Sequence, residues 1–503
     1  MRILYLDLDA LNPLHLGCYG YHRNTSPAID AVAAEGVRFT NVYCSDAPCL
    51  PSRTALYTGR FGIHTGVVGH GGTAADPKRQ GRSRGFLSTY ETDSFPRQLQ
   101  QLGLHTAMIS PFGQRHAAHQ YYAGFKEIHN TGGMGQEPAE VVQTVVREWL
   151  DRNASNDDWY LHINFWDIHT NYRVPIEYGN PFEGEPVADW FTDEVIERHV
   201  RRGGPHSAQD LNMFYDSDVE RYPRTPPRIN DRASLTKWID GYDTAIRYVD
   251  DCIAEIVAKL KAAGVYDDTA IIISADHGEN QGDLGIYGEH GTADRGTCHI
   301  PMIVKWPGHD ATAGRVDEAL RYHLDWGPTC LNLMGAGDNC PDVWDGVDYS
   351  KAITGGDDEG RSELIMGQCA HVVQRSVRFN DGPRQWLYMR TYDDGLHPFD
   401  KHMLFDLASD PHEQHDVADK HPDVLREATW RLMNWHDDAM ATVVRDFDDV
   451  SDPLYTVLAE DGPLHARYDT ISEAPVDLDA YLVRLEATGR AEAAADLRQR
   501  RQK

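Results

Sequence analysis

Apolar runs that are typical of strands alternate with helical segments along most of the chain. The runs at residues 3–9, 159–165 and 269–274 are short and have the composition of buried strands. Helical periodicity fills much of the sequence between them, and the longest such segment extends from about Trp238 to Ala263. Because parallel strands need helical crossovers, this alternation predicts an α/β fold with a large mixed, mostly parallel sheet sandwiched by helices.

Shorter elements complete this pattern. Strands are predicted at residues 37–42 and 105–110, and helices at residues 26–34, 95–102 and 139–150. The segment 173–235 interrupts the alternation and is rich in Pro, Gly, Trp and Tyr. We expect this insertion to form an excursion over a functional site. Its aromatic residues either line that site or pack the loop: Trp190, Phe191, Phe214, Tyr215 and Tyr222.

The pattern changes after the glycine-rich segment at residues 355–360. Short strands follow, and then helices are predicted near 422–442 and 473–499. We therefore predict two domains: a large α/β domain over residues 1–355 and a smaller C-terminal α+β domain with a helical tail over residues 361–503. The short strands are at residues 363–368, 374–379, 385–390 and 403–407.

Composition excludes several classes of protein. The 503 residues include 48 Lys and Arg against 78 Asp and Glu, a net charge of −30, which excludes a nucleic-acid binder that works through a basic face. A hydrophobic fraction of 41% supports a large core. No stretch approaches the roughly 20 apolar residues of a membrane span. The eight cysteines are too sparse for a disulfide scaffold. The N-terminal sequence lacks the features of a signal peptide, so we expect a cytoplasmic protein.

Acidic residues end two of the predicted buried strands. Asp7 and Asp9 close the first strand, and Asp276 and His277 follow the strand at 269–274. Open α/β folds place their sites at the carboxyl ends of parallel strands, so we expect these side chains at one edge of the sheet.

The most informative motif is C-L-P-S-R at residues 49–53, followed by T-A-L-Y-T-G-R at residues 54–60. It resembles the signature of type I sulfatases, which have the alkaline-phosphatase-like fold. In that family a maturation enzyme oxidises the cysteine to Cα-formylglycine. The resemblance implies that Cys49 becomes formylglycine. Its hydrate carries two hydroxyls, so that one attacks sulfur and the other later expels sulfate.

The same resemblance implies a metal site. Asp9 and the D-H-G motif at residues 276–278 match the family's ligands, which implies that Asp9, Asp276, His277 and the modified Cys49 hold one divalent cation. Carboxylate oxygens favour Ca²⁺, with Mn²⁺ or Mg²⁺ as alternatives. Many sulfatases have Asp-Asp where this chain has Asp9 and Ala10. Asp7 either replaces the missing ligand or accepts a hydrogen bond behind the ligands.

Three further motifs supply candidate catalytic residues by resemblance. W-D-I-H-T-N-Y at residues 166–172 resembles a loop whose histidine contacts sulfate, which implies that His169 acts near the leaving group. G-Q-R-H at residues 113–116 implies that His116 contacts formylglycine and is the candidate base. D-R-G-T at residues 294–297 implies that Arg295 supplies a cation for sulfate.

Two features of these motifs remain open. Gln114 stands where sulfatases usually have a sulfate-binding lysine. Arg115 or His299 either lends the missing charge or is structural. Arg53 lies one turn after Cys49 if a helix starts at Pro51, which would bring its guanidinium under the nucleophile, where it would stabilise the sulfuryl oxygens.

The leading hypothesis is a formylglycine- and metal-dependent sulfatase that acts on a sulfated small molecule or oligosaccharide, first of all a carbohydrate sulfate. One alternative is a phosphonate monoester or phosphodiester hydrolase of the same superfamily. Another is an inactive protein that binds sulfated ligands. The implied partners are the substrate and the formylglycine-generating maturation enzyme, with no nucleic acid and no membrane, and the oligomeric state stays open.

Overall fold

The computed structural model describes residues 1–79, 88–446, 449–460, 462–463 and 477–501. The described strands form two large sheets and one two-stranded sheet of Asn280–Gln281 and Tyr287–Glu289. They are β1 (Arg2–Leu8), β2 (Val37–Tyr43), β3 (Asp46–Ala47), β4 (His105–Ile109), β5 (Glu127–His129), β6 (Trp159–Phe165), β7 (Thr269–Ser274), β8 (Asn280–Gln281), β9 (Tyr287–Glu289), β10 (His299–Lys305), β11 (Arg315–Asp317), β12 (Arg321–Tyr322), β13 (Glu363–Gln368), β14 (Val373–Asp381), β15 (Arg384–Asp393) and β16 (His402–Asp406).

Helices connect these strands and cover the sheets. They are α1 (Pro27–Glu35), α2 (Cys49–Thr58), α3 (Gly62–Thr65), α4 (Thr89–Thr92), α5 (Phe95–Gln101), α6 (Phe112–Arg115), α7 (Ala139–Asn153), α8 (Asp193–Arg201), α9 (Arg232–Ala262), α10 (Arg295–Cys298), α11 (Trp326–Leu333), α12 (Ser350–Thr354), α13 (Pro422–Asp446), α14 (Pro453–Ala459), α15 (Leu478–Ala487) and α16 (Ala491–Arg501). Within the described residues, none of these helices has the length and apolar character needed to cross a bilayer.

The larger sheet has nine strands in the order β11-β2-β10-β7-β1-β6-β4-β5, with β12 also paired to β2. β1 is central and runs parallel to both of its neighbours, β6 and β7. Only β10 is antiparallel to the strands beside it. One group of helices, α1, α7 and α9, packs together, and α2 packs with α5 and α11. The mixed, mostly parallel sheet with helical cover is thus confirmed.

The smaller sheet has the order β16-β15-β14-β13-β3. Four of its strands form an antiparallel meander from the C-terminal part of the chain, and α13 packs against it through Ala428 and Leu432. The fifth strand, β3, comes from near the N-terminus and runs parallel to β13. The division into domains at residues 355–361 stays a prediction.

Two helix boundaries differ from the sequence prediction. The helix predicted from Trp238 begins at Arg232, because Asp231 and Ser234 form a reciprocal capping box at its start. The tail predicted at 473–499 is two helices, α15 and α16, and residues 473–476 lie outside the described part of the chain.

The C-terminal helix α15 packs against the insertion at 173–235. Asp210 is fully buried, and Arg484 donates to it at 2.7 Å. Its aromatic residues divide between packing and a cavity: Phe214 packs on Tyr481 with ring centroids 4.9 Å apart, whereas Trp190 and Phe191 line a cavity of about 540 Å³.

Candidate active site

The site is built around Cys49, the first residue of α2. β3 lies immediately before α2 and pairs with β13, so Cys49 lies where the two sheets approach each other. Its side chain is fully buried. The sequence predicted a helix starting at Pro51, but the helix begins at Cys49. Arg53 therefore lies one turn along the same helix, on the same face as Cys49.

Four side chains meet at this point. Asp9 follows β1 and Asp276 follows β7, and because these strands are parallel neighbours, both carboxylates reach one edge of the sheet. His277 Nε2 lies 3.1 Å from Cys49 Sγ. Ligand atoms of Asp9, Cys49, Asp276 and His277 all lie within 4.8 Å of one another. The structure therefore brings together the four residues that the sequence predicts as metal ligands.

Hydrogen bonding at these residues fits a cation. Both carboxylate oxygens of Asp9 are buried, and neither accepts a hydrogen bond within the described part of the chain. Arg53 Nη1 lies 3.0 Å from Asp9 Oδ2, an ion pair without hydrogen-bond geometry. His277 Nδ1 donates to the Gly278 carbonyl at 2.7 Å, which leaves Nε2 with a lone pair toward Cys49. Two carboxylates and one neutral imidazole suit a divalent metal ion.

The pKa values support the same reading. Burial, together with the nearby carboxylate of Asp9, raises the pKa of Asp276 well above its usual value. Burial and the same two acidic groups, Asp9 and Asp276, also raise the pKa of the Cys49 thiol. A protonated thiol is a poor nucleophile, so an unmodified Cys49 is unsuited to attack an ester.

Arg53 is held by carboxylates. Its Nε and Nη2 donate to Asp7 at 2.7 and 3.1 Å, and its Nη1 donates to Asp276 at 2.6 Å. From the sequence, this guanidinium is predicted to stabilise the sulfuryl oxygens. The structure places it among three buried carboxylates, where a buried acidic cluster needs a buried cation. Arg53 therefore positions the candidate ligands Asp9 and Asp276.

Asp7 lies behind the ligand cluster. Besides Arg53, it contacts His162 Nε2 at 3.4 Å, and it is not among the four residues whose ligand atoms converge. Burial raises its pKa, but Arg53 and His162 together outweigh burial and lower the pKa of Asp7 to about 2. Of the two roles left open by the sequence, the structure favours the acceptor behind the ligands.

His116 lies on another side of Cys49. A ring nitrogen of His116, one of His70 and the Cys49 Sγ lie within 4.8 Å of one another. Burial and the neighbouring Arg115 lower the pKa of His116 to about 3, so the ring is neutral near neutral pH. A neutral imidazole beside the nucleophile has the form that a general base requires.

His169 faces a histidine that sequence reasoning missed. The rings of His169 and His290 lie 4.7 Å apart, and His290 stacks on His277 with centroids 4.3 Å apart. A His290 ring nitrogen also lies within 4.8 Å of Cys49 Sγ. His290 therefore lies between His169 and His277, one of the four candidate metal ligands.

Carboxylates flank His290. Glu279 Oε2 lies 3.5 Å from His290 Nδ1. Burial lowers the pKa of His290, but Glu279 and Glu289 outweigh it and raise the pKa above its usual value. Burial and His290 lower the pKa of His169 instead. The role of His169 near the leaving group stays a prediction, and of the two neighbouring histidines His290 is the one whose pKa is raised. The signal in the sequence was the position of His290 directly after strand β9.

Arg295 does not join this cluster. It donates from Nη1 to the Pro411 carbonyl at 3.1 Å and lines the cavity beside Trp190. Among the described residues, no hydrogen bond or ion pair joins Arg295 to the ligand cluster. The predicted sulfate contact of Arg295 is therefore not supported by its position. The position of Arg295 follows from the short helix α10, because Asp294 caps the helix and fixes its first turn.

The remaining open residues separate into structural and site residues. His299 Nε2 donates to the Thr40 carbonyl at 2.8 Å inside the core, which is a structural role. Gln114 is exposed and accepts a hydrogen bond from Asn130. Arg115 lies over the Trp166 ring, 5.0 Å from its centroid, close enough for its charge to act on Cys49.

Residues 3–336 match the sequence profile of the sulfatase family. The chain therefore belongs to the sulfatase family of sulfuric ester hydrolases.

Individual relatives are distant. An arylsulfatase of Hemicentrotus pulcherrimus is 26% identical over 317 residues, which cover 61% of this chain and only 54% of that protein. The N-acetylglucosamine-6-O-sulfatase of Bacteroides thetaiotaomicron is 22% identical over 488 residues and covers 83% of each chain. The phosphonate monoester hydrolase of Agrobacterium radiobacter has a similar fold, with a TM-score of 0.63, 19% identity and coverage of 87% of this chain and 96% of that chain.

Proposed function

We propose that this protein hydrolyses a carbohydrate sulfate ester through Cα-formylglycine made from Cys49, with one bound Ca²⁺. The observation that carries the proposal is the convergence of Asp9, Asp276 and His277 on Cys49, with ligand atoms within 4.8 Å of one another. The N-acetylglucosamine-6-O-sulfatase relative supports a sugar sulfate as the substrate class. A formylglycine-generating maturation enzyme is the partner that this proposal requires.

The donor set supports Ca²⁺ first. Asp9 and Asp276 offer carboxylate oxygens, which hard cations prefer. The imidazole of His277 also suits Mn²⁺, and Mg²⁺ remains the third choice. Asp9, Asp276 and His277, next to residue 49, would hold the ion. When present, the cation and formylglycine supply electrophilic activation of the ester and a nucleophilic hydroxyl.

The protein's own residues orient these groups and move protons. Arg53 holds the carboxylate of Asp276 in place through one hydrogen bond, and its hydrogen bond to Asp7 fixes the guanidinium. His116, neutral and next to residue 49, accepts a proton there. His290 lies between His277 and His169, where it can donate to the departing alcohol oxygen.

The test is sulfate release by protein produced together with a formylglycine-generating enzyme. The mass of the peptide that contains residue 49 reports conversion of cysteine to formylglycine. We expect release of sulfate from N-acetylglucosamine 6-sulfate, loss of turnover in Cys49→Ala, and an unchanged circular dichroism spectrum in that variant. Cys252→Ala, at a half-buried cysteine of α9, is the matched control and should keep full activity. Sulfate release by Cys49→Ala would exclude the proposal.

A second candidate function is phosphonate monoester or phosphodiester hydrolysis. One observation favours it: Asp9 is followed by Ala10 where many sulfatases have a second Asp. Gln114, in place of a lysine expected to bind sulfate, does not distinguish the two functions. Rates on an aryl sulfate, an aryl phosphonate monoester and a phosphodiester separate the two functions. A higher rate on the phosphonate than on the sulfate would make phosphonate hydrolysis the first candidate function. Unmodified Cys49 in protein from the native host would favour the inactive binding protein instead.

A further inference from the structure

Two arginines at the edge of the site are fixed by one tryptophan. Arg115 lies over the Trp166 ring at 5.0 Å from its centroid, and Arg173 donates from Nη1 to the Trp166 carbonyl at 3.3 Å. Arg53 also lies over this ring, at 5.4 Å. Trp166 therefore connects both arginines to the buried cluster around Cys49.

Only neutral groups accept hydrogen bonds from these two guanidiniums. Besides its contact with the ring, Arg115 donates to the Met134 carbonyl at 3.1 Å, and Arg173 Nε donates to Gln136 Oε1 at 3.1 Å. Within the described part of the chain, neither arginine has a carboxylate oxygen within 4.0 Å. Two positive charges therefore lie next to the site without a direct ion pair among the described residues, and Asp167 and Asp9 act on Arg173 only from a longer distance.

The two charges act on each other. Both side chains are half-buried. Burial, and then the charge of Arg115, lower the pKa of Arg173. The charge of Arg115 also reaches Asp9 and His169. Like charges at partly buried positions repel, and an anion between them removes that repulsion. The chain has a net charge of −30, yet among the described residues no acidic side chain forms a direct ion pair with Arg115 or Arg173.

The backbone at Gly135 leaves the space that the Arg115 guanidinium occupies. Gly135 has φ +78°, and a Cβ at this position would lie 2.4 Å from Arg115 Nη1. The loop that contains Gly135 also supplies Met134 and Gln136, the acceptors described above. This loop therefore positions both arginines, since it accepts a hydrogen bond from each of them.

We propose that Arg115 and Arg173 together bind a second anionic group of the substrate, a sulfate or a carboxylate carried close to the reacting ester. The inference rests on the proposed function, which identifies the reacting group as a sulfate ester. Arg53 is already engaged by carboxylates, whereas this pair offers free planar donors that match sulfate and carboxylate oxygens. The preferred substrate is therefore a sugar with one reacting sulfate and one further anionic group.

Binding to Cys49→Ala protein tests this without turnover. Calorimetry compares a disulfated monosaccharide, a sulfated uronic acid and a sugar with a single sulfate. We expect the two dianionic sugars to bind at least tenfold more tightly than the singly sulfated one. Arg173→Gln should remove about ten- to a hundredfold of affinity for a dianionic sugar, and much less for the singly sulfated sugar. Preference for only one dianionic sugar identifies its group as the ligand.

Arg115→Gln is the second variant, and it should reduce the same preference if Arg173→Gln is misfolded. Arg201→Gln removes one positive charge from an exposed side chain of α8 and should change no affinity more than twofold. Equal loss for singly and doubly charged sugars, or no loss in either arginine variant, would overturn the inference. Absence of sulfate release by the wild type would instead count against the proposed function, because the binding comparison does not depend on it.

Discussion

Arg53 Nη1 donates to Asp276 Oδ2 at 2.6 Å. The same nitrogen lies 3.0 Å from Asp9, so one guanidinium bridges two of the residues proposed to hold the cation. A divalent ion and Arg53 therefore neutralise the same negative charge, and the effect of removing Arg53 should depend on the ion.

Arg53→Gln should destabilise the metal-free protein by about 3–5 kcal/mol, because it leaves buried carboxylates without a partner. Saturating Ca²⁺ should recover part of this loss. Urea unfolding in EDTA and in Ca²⁺ measures both values. Arg23→Gln is the control, because Arg23 is also buried and pairs with Asp243 on α9. This variant should lower the free energy of unfolding by the same amount with and without Ca²⁺. Equal losses of Arg53→Gln in both conditions would contradict the shared role.

Asp9→Asn should weaken binding of the cation at least ten- to a hundredfold. Its two buried oxygens have no hydrogen-bond donor among the described residues, so the amide keeps the shape but loses the charge that the ion needs. Calorimetric titration of metal-free protein with Ca²⁺, Mn²⁺ and Mg²⁺ gives the affinities and their order. Asp250→Asn, which changes a carboxylate that caps α1 through Ala28 and Ile29, should leave them unchanged. Unaltered affinity in Asp9→Asn would exclude Asp9 as a ligand.

Asp452 should stabilise the smaller sheet in a pH-dependent way. Arg375 donates to it at 2.8 and 2.9 Å, and His436 Nε2 lies 3.0 Å away. Burial raises the pKa of Asp452, but His436 and Arg375 outweigh burial and hold the pKa below the ordinary value of 3.8. The stabilisation is therefore complete above the unfolded-state pKa and is lost as pH falls below about 4 toward the folded-state value.

Asp452→Asn should accordingly cost about 3–5 kcal/mol at pH 7, and its difference from the wild type should shrink below pH 4. Urea unfolding from pH 7 down to pH 3 measures this difference. Asp437→Asn, at an 85% exposed position beside His436, should change stability by no more than about 0.5 kcal/mol. A difference that is constant down to pH 3 would show that the charge of Asp452 is not its source.

The net charge of −30 should limit the size of a good substrate. A long polysulfated chain must approach the negative surface along its whole length, whereas a short one meets mainly the cationic site. We expect higher kcat/KM on mono- and disaccharide sulfates than on the intact polymer. Added salt should narrow the gap by screening the repulsion. Faster turnover of the polymer at low salt would refute this expectation.

The sequence predicts the main sheet well because its strands are continuous apolar runs, such as Thr269–Ser274. It also predicts the ligand cluster, since neighbouring parallel strands carry Asp9 and Asp276 to one edge. It could not predict that Arg53 binds these carboxylates, because this depends on the distance between α2 and two strands. It could not predict the position of Arg295 for a similar reason: the motif fixes the backbone of α10, while the direction of the side chain depends on packing with residues near Pro411. The cytoplasmic location stays a prediction.

The pairing of β3 with β13 joins two parts of the chain that are synthesised at different times. Ribosomes add roughly 5–20 residues per second, and roughly 300 residues separate Cys49 from Gly367, the residue of β13 that pairs with Asp46. The segment immediately before Cys49 therefore gains this partner roughly 15–60 seconds after it is made. Under the proposed conversion of Cys49 to formylglycine, slower translation should lengthen this interval and raise the converted fraction.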